Sequence, residues 1–191
     1  MVLELGRLLL VFLTMLEPRP SLRVIHGGRY RHLRLGLTRV VVTERPYRSP
    51  DAVLFEENTA LNMSGAGTLD ATQAGTPPTH RGGSVIVRPG TPAELLLIVN
   101  RAGSRTGFRP GWLESAWDAA LQEADQRRLS FLVAPLVGCI GGAKLEVSLS
   151  AVAGVLSLRQ YQYPRTLELA CGDLAEQAYA GLAHYAHHLR N

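Results

Sequence analysis

The sequence predicts an α/β domain in which helices pack on a mixed β-sheet. Three observations carry this expectation. Short apolar runs bounded by turn residues recur along the chain, at residues 38–43, 52–55, 84–88, 95–99, 131–137 and 165–170, and runs of that length fit buried strands. In the second half these runs alternate with helical patterns, which is the layout of an α/β sandwich. The chain has 191 residues, 46% of them hydrophobic, enough to bury one substantial core in one domain. No internal repeat or long linker interrupts it.

Residues 8–16 are apolar but too short to span a bilayer, with Glu4 ahead of them and no small-residue cleavage pattern after them. They read as a core segment of a cytoplasmic protein. Pro18 and Pro20 end that segment. Residues 22–26, Gly27-Gly28 and residues 30–37 read as a hairpin, with Arg31, Leu33 and Leu35 on one alternation and His32 and Arg34 on the other. Residues 1–37 are therefore expected to elaborate the sheet of a main unit spanning 38–191. Residues 38–43 (TRVVVT) form the next strand, with Glu44 immediately after it.

The strands at 84–88 and 95–99 are joined by a Pro-Gly-Thr-Pro turn. Residues 112–127 are the clearest helix, with Leu113, Ala116, Trp117, Ala120, Leu121 and Ala124 on one stripe. Trp112 and Trp117 read as core packing rather than ligand stacking. A second helical pattern, with Leu145, Leu149, Val152 and Leu156, follows the strand at 131–137, and an amphipathic helix over 174–189 closes the chain.

Two glycine-rich loops follow buried strands. The first strand, Ala52-Val53-Leu54-Phe55, runs into Glu56-Glu57-Asn58, and the loop Gly65-Ala66-Gly67-Thr68 leads to Leu69-Asp70. The second loop, Gly138-Cys139-Ile140-Gly141-Gly142, follows Val137. Glycine lets backbone N–H groups approach a phosphate without obstruction by Cβ. Two such loops at strand ends suggest a polyanion held at the carboxyl edge of a sheet. Asn58 and Asp70 flank the first loop and are placed to act on whatever it holds. Each loop alone also fits an ordinary turn, and Asp70 also suits a helix N-cap.

In this order and spacing, residues 51–58, the glycine loop and Leu69-Asp70 resemble the macro domain pattern, in which an NAAN segment runs into a glycine loop and a VD pair. Residues 82–90 (GGSVIVRPG) resemble its GEAVITPGY strand and turn, and residues 137–142 its STGIYG loop. The resemblance covers residues 38–191. It implies a three-layer α/β/α fold with a mixed central sheet, and binding of ADP-ribose or a related nucleotide diphosphate. By the same resemblance Glu44 would accept a hydrogen bond from the adenine amino group. The backbones of Gly65, Ala66, Gly67, Thr68 and Leu69, with those of Gly138, Cys139, Ile140, Gly141 and Gly142, would hold the diphosphate. Asn58 would orient the distal ribose and Asp70 would activate or position water for hydrolysis of an ADP-ribosyl linkage. The implied partner is ADP-ribose or an ADP-ribosylated substrate, with no cofactor and no metal.

The chain departs from that pattern at several places. Phe55 replaces the first Asn of NAAN, and Glu56-Glu57 replace its two alanines. Six residues rather than four separate Asn58 from Gly65, and Gly75, Pro77 and Pro78 cut short the helix expected after Asp70. Ala170-Cys171-Gly172 stand where an adenine-stacking aromatic is common. Two anions beside a diphosphate repel it unless they point away, and in a strand Glu56 and Glu57 must face opposite sides. These departures favour a competing reading, a macro-like interaction or structural module without a ligand.

Composition narrows the other classes. Two cysteines, Cys139 and Cys171, make no disulfide framework. A cysteine nucleophile at Cys139 would need a histidine, and His80 is the only one in the central chain; a small residue in a tight turn is the preferred reading. Residues 1–50 hold nine Arg against three Glu, while the rest holds 11 basic and 13 acidic groups. Since Lys144 is the only lysine, the Arg richness reads as a compositional habit rather than a nucleic-acid face. His184, His187 and His188 have helical spacing but no third ligand nearby, and they read as a solvated helix end.

Overall fold

The computed structural model describes residues 31–46, 49–61, 63, 80–103 and 108–188. The expected core segment at 8–16, the first hairpin arm at 22–26 and the glycine loop through Asp70 lie outside the described residues.

Seven strands make one sheet: β1 (Arg31–Leu35), β2 (Thr38–Thr43), β3 (Ala52–Asn58), β4 (Val85–Arg88), β5 (Ala93–Asn100), β6 (Phe131–Pro135) and β7 (Thr166–Ala170). Their order across the sheet is β1-β2-β7-β6-β3-β5-β4. The five central strands are parallel, and the two outer ones, β1 and β4, pair antiparallel with β2 and β5. The expected mixed sheet is therefore observed.

Burial explains the apolar runs. Leu95, Leu97 and Val99 of β5 join the main core, with Leu54, Leu132, Leu167 and Leu169 from neighbouring strands. Leu96 and Ile98, which point the other way, are 0% exposed as well. A parallel strand buried on both faces reads as a continuous apolar stretch rather than an alternation. Three helices pack side by side over the first face: α1 (Pro110–Arg127), α2 (Leu145–Leu158) and α3 (Ala175–His188), the last preceded by a 3-10 turn at Gly172–Leu174.

The stripe expected on α1 is the one buried, Leu113, Ala116, Trp117, Ala120, Leu121 and Ala124. The helix begins two residues earlier than the apolar periodicity suggested. Pro110 occupies its first turn, where a missing N–H costs nothing, and Arg128 ends it in the left-handed conformation. Trp112 lies flat on Gly82, a position where any Cβ would overlap the indole. Both tryptophans thus serve packing. No helix among the described residues is long and apolar enough to cross a membrane.

β1 pairs with β2 in register Leu35↔Thr38 through the two-residue loop Gly36-Leu37. Gly36 has φ +55°, and a Cβ there would run into the Leu156 carbonyl oxygen of α2. Two-residue hairpin loops favour glycine at this place because of the positive φ. Gly36→Ala should accordingly cost about 1–3 kcal/mol, from left-handed strain plus overlap with α2. Leu97→Ala, at a fully buried position, should cost about 2–5 kcal/mol. Urea unfolding midpoints measure both; a Gly36→Ala midpoint equal to that of the natural chain would contradict the hairpin geometry.

Candidate functional site at the carboxyl edge of the sheet

The five parallel strands end on one edge, at Thr43, Ala170, Pro135, Asn58 and Asn100. Ligands of open parallel sheets sit outside such an edge. Glu44 follows β2 there and is exposed; its carbonyl accepts the Gly172 N–H at the end of β7. The 138–142 loop follows β6, and Asn58 ends β3. Glu44, the 138–142 loop and Asn58 are thus brought to one edge. Gly65, Ala66, Gly67, Thr68, Leu69 and Asp70 lie outside the described residues.

The second loop has an internal occupant. β3 and β6 form a ladder only at Ala52↔Leu132 and Val53↔Val133. Pro135 has no N–H to continue it, and beyond this point the Glu56 side chain makes the connection. Glu56, 2% exposed, accepts Gly138 N–H on Oε2 at 2.7 Å and Gly141 N–H on Oε1 at 2.7 Å. Ile140 N–H reaches Oε2 at 3.3 Å, and Asn100 Nδ2 donates to Oε1 at 2.7 Å. Successive backbone amides curled round one anion form a nest of the sort that holds phosphate elsewhere. Gly138 supports the curl with φ +98°.

The remaining amides of the loop are engaged too. Cys139 N–H donates to the Leu136 carbonyl at 3.1 Å, Gly142 N–H to the Cys139 carbonyl at 3.1 Å, and Ala143 N–H to the Gly138 carbonyl at 2.9 Å. Every amide from Gly138 to Ala143 therefore donates within the chain. The expectation that Glu56 and Glu57 face opposite sides holds: Glu56 lies on the helix-covered face with Leu54, and Glu57 turns away, accepting Met63 N–H at 3.0 Å. Both are buried.

Two asparagines close the ends of β3 and β5. Asn58 is 8% exposed, and its Oδ1 accepts Ala60 N–H at 2.8 Å, so the oxygen shapes an Asx turn. Asn100 was not singled out by its sequence. It is 3% exposed, and its register shifts relative to β3 between Glu57 and Asn58. Such a bulge re-aims a side chain, and here Asn100 Nδ2 meets Glu56. Its Oδ1 has no hydrogen-bond partner and lies where a Cβ on Gly141 would be. The sequence signal available was an amide residue directly after the apolar run 95–99, the same strand-end position that Asn58 holds on β3.

The Cys139 thiol is pushed up from its ordinary value by burial, and further by the Glu56 and Glu146 carboxylates, while Ser148 partly offsets them. That is the reverse of what a nucleophilic cysteine needs. Burial also pushes Cys171 up to about 12. His184, His187 and His188 are exposed and make edge-on ring contacts with one another. Among the described residues no group of three or more His, Cys, Asp or Glu could hold a metal.

No family model matches the sequence, and no curated protein matches it. Solved structures do match the fold. The chain is similar to an Oceanobacillus iheyensis macrodomain with ADP, at TM-score 0.61 and 11% identity over 84% of this chain and 96% of that one. It is similar to the macro domain of ganglioside induced differentiation associated protein 2, at 0.52 and 18% over 72% and 78%. It is also similar to a Trypanosoma brucei macrodomain in complex with ADP-ribose, at 0.52 and 18% over 71% of this chain and 63% of that one.

The Cys139 environment has a measurable consequence. Because only the thiolate is alkylated, the pH–rate profile of iodoacetamide at Cys139 should lie above that of a simple thiol. Glu56→Gln removes one of the carboxylates that raise it and should move the profile back down. Cys171, near 12, stays silent below alkaline pH. A Cys139 profile at or below that of a simple thiol would contradict this account.

Proposed function

We propose, from the premise that this chain has the macrodomain fold in a strongly diverged sequence, that it binds ADP-ribose or a related nucleotide diphosphate along the carboxyl edge of its sheet. The observation that carries the reading is the order of groups along that edge. Glu44 follows β2, the 138–142 loop follows β6 and Asn58 ends β3, in the spatial order β2-β7-β6-β3. At about 4.8 Å per strand, Glu44 and Asn58 are separated by roughly 14 Å along the edge. That separation suits an extended ligand with adenine at one end, a sugar at the other and phosphates between. Similar solved structures that hold ADP or ADP-ribose support the same choice of ligand.

In this reading Glu44 accepts the adenine amino group, the two glycine-rich loops receive the diphosphate, and Asn58 orients the distal ribose. Hydrolysis of an ADP-ribosyl linkage would add Asp70 as the group that positions water. Cys139, held as a thiol, has no nucleophilic part in this reading.

One observation favours a second reading, a macrodomain fold serving as an interaction or structural module without ligand. The amides of the 138–142 loop all have acceptors inside the chain, so the apo protein has no hydrogen-bonding deficit there for a ligand to relieve.

Calorimetric titration with ADP-ribose separates the two readings. Saturable binding in the micromolar to sub-millimolar range is expected, weakened about tenfold in Asn58→Ala through loss of a ribose contact. Absence of heat at millimolar ADP-ribose would remove the nucleotide reading and leave the module. If binding is seen, release of free ADP-ribose from an ADP-ribosylated protein, compared between the natural chain and Asp70→Ala, decides turnover.

A further inference from the structure

We propose that Glu56 is the specificity-determining residue of this edge, an internal anion that competes with a ligand phosphate for the same backbone amides. The inference rests on the reading of the edge as a phosphate-receiving site. Four donors converge on the Glu56 carboxylate, three backbone N–H groups and Asn100 Nδ2. No cation pairs with it among the described residues, so its charge is balanced by amide dipoles, the means by which backbone nests hold phosphate. A phosphate oxygen placed against Gly138 and Gly141 would have to occupy the position of a Glu56 oxygen. Two anions cannot share that position, because each would be desolvated beside the other.

The surroundings are built for an occupant. Asn100 is buried, its Nδ2 is spent on Glu56 and its Oδ1 is unpartnered against Gly141. Shortening Glu56 leaves the three backbone donors and the Asn100 amide facing a space of carboxylate size. In the resembled family pattern alanine stands at this position. The Glu56 side chain thus supplies from within the chain what an alanine would leave to a ligand.

The test measures affinity gained rather than stability lost. Pyrophosphate and ADP-ribose are titrated into the natural chain, Glu56→Gln and Glu56→Ala, followed by calorimetry and by the amide resonances of Gly138, Ile140 and Gly141. Thermal unfolding checks that each variant is folded. Both variants should bind pyrophosphate about tenfold or more tighter than the natural chain, with those three resonances moving. A purely structural carboxylate would lower the unfolding temperature and leave affinity unchanged, and that result in a folded variant overturns the proposal. If Glu56→Ala does not fold, the uncharged and equally long Glu56→Gln decides alone. If neither folds, the natural chain decides: pyrophosphate moving the three resonances at micromolar concentration overturns competition, and no movement below millimolar upholds it.

The outcomes separate this inference from the ligand reading. ADP-ribose bound equally by all three proteins overturns competition and leaves the ligand reading standing. Pyrophosphate gained by the variants without any ADP-ribose binding upholds competition and removes the ligand reading. No binding of either probe to folded variants overturns both.

Discussion

The Glu56 carboxylate in the 138–141 amide nest is the interaction on which the carboxyl edge depends. A buried carboxylate is costly unless donors replace its water, and buried amides are costly unless acceptors replace theirs. Each side here answers the other: two carboxylate oxygens take four hydrogen bonds, three of them from one five-residue loop. The contact also does what the sheet cannot. The β3–β6 ladder stops at Val53↔Val133, and Pro135 brings no N–H to extend it. The Glu56 side chain bridges the gap, so the position of the loop over β3 is set by side-chain rather than ladder bonds.

Other features of the edge follow from that contact. Asn100 is held by donating to Glu56, which leaves its Oδ1 against Gly141 and makes glycine obligatory there. Cys139, carried on the same loop, has its thiolate disfavoured by burial first and by the Glu56 carboxylate among the charges. The end of β3 is fastened separately, by Asn58 to Ala60, Thr59 N–H to the Asn100 carbonyl, and Ala102 N–H to Thr59 Oγ1. The edge is therefore a network of polar groups that satisfy one another, with Asn100 Oδ1 the exception.

Much of the fold was legible because its determinants are local. Five apolar residues in a row at 95–99 can only be a strand covered on both faces or a buried helix segment, and the turn residues ahead of them decide for the strand. The α1 stripe is a periodicity that packing respects residue for residue. The turn at Gly36-Leu37 is quieter in the sequence than Gly27-Gly28, and what requires glycine there, closeness to Leu156 of α2, is a tertiary contact; the hairpin expected across Gly27-Gly28 lies outside the described residues. The site was legible only in part. That Glu56 and Glu57 face opposite ways follows from strand geometry, but that Glu56 lands among amides 82 to 85 residues downstream is a property of the assembled sheet. Asn100 escaped for the same reason: its aim depends on a register shift between two strands, which no local pattern encodes.

A fold that arranges amides at a sheet edge does not by that alone bind an external anion. It binds whichever anion reaches the nest at the lowest free-energy cost, and a side chain already tethered on β3 loses little freedom in doing so, while a free ligand loses much more. Tethering therefore biases the nest toward Glu56 before any difference in charge is counted. Charge works the other way, since a diphosphate offers more oxygens and more negative charge than one carboxylate. Affinity at this edge is the difference between these two effects, reduced further by whatever the β3–β6 junction loses when Glu56 withdraws. Glu56 thus ties the amide nest to the packing of the sheet, through a bond that an alanine at the same position could not make.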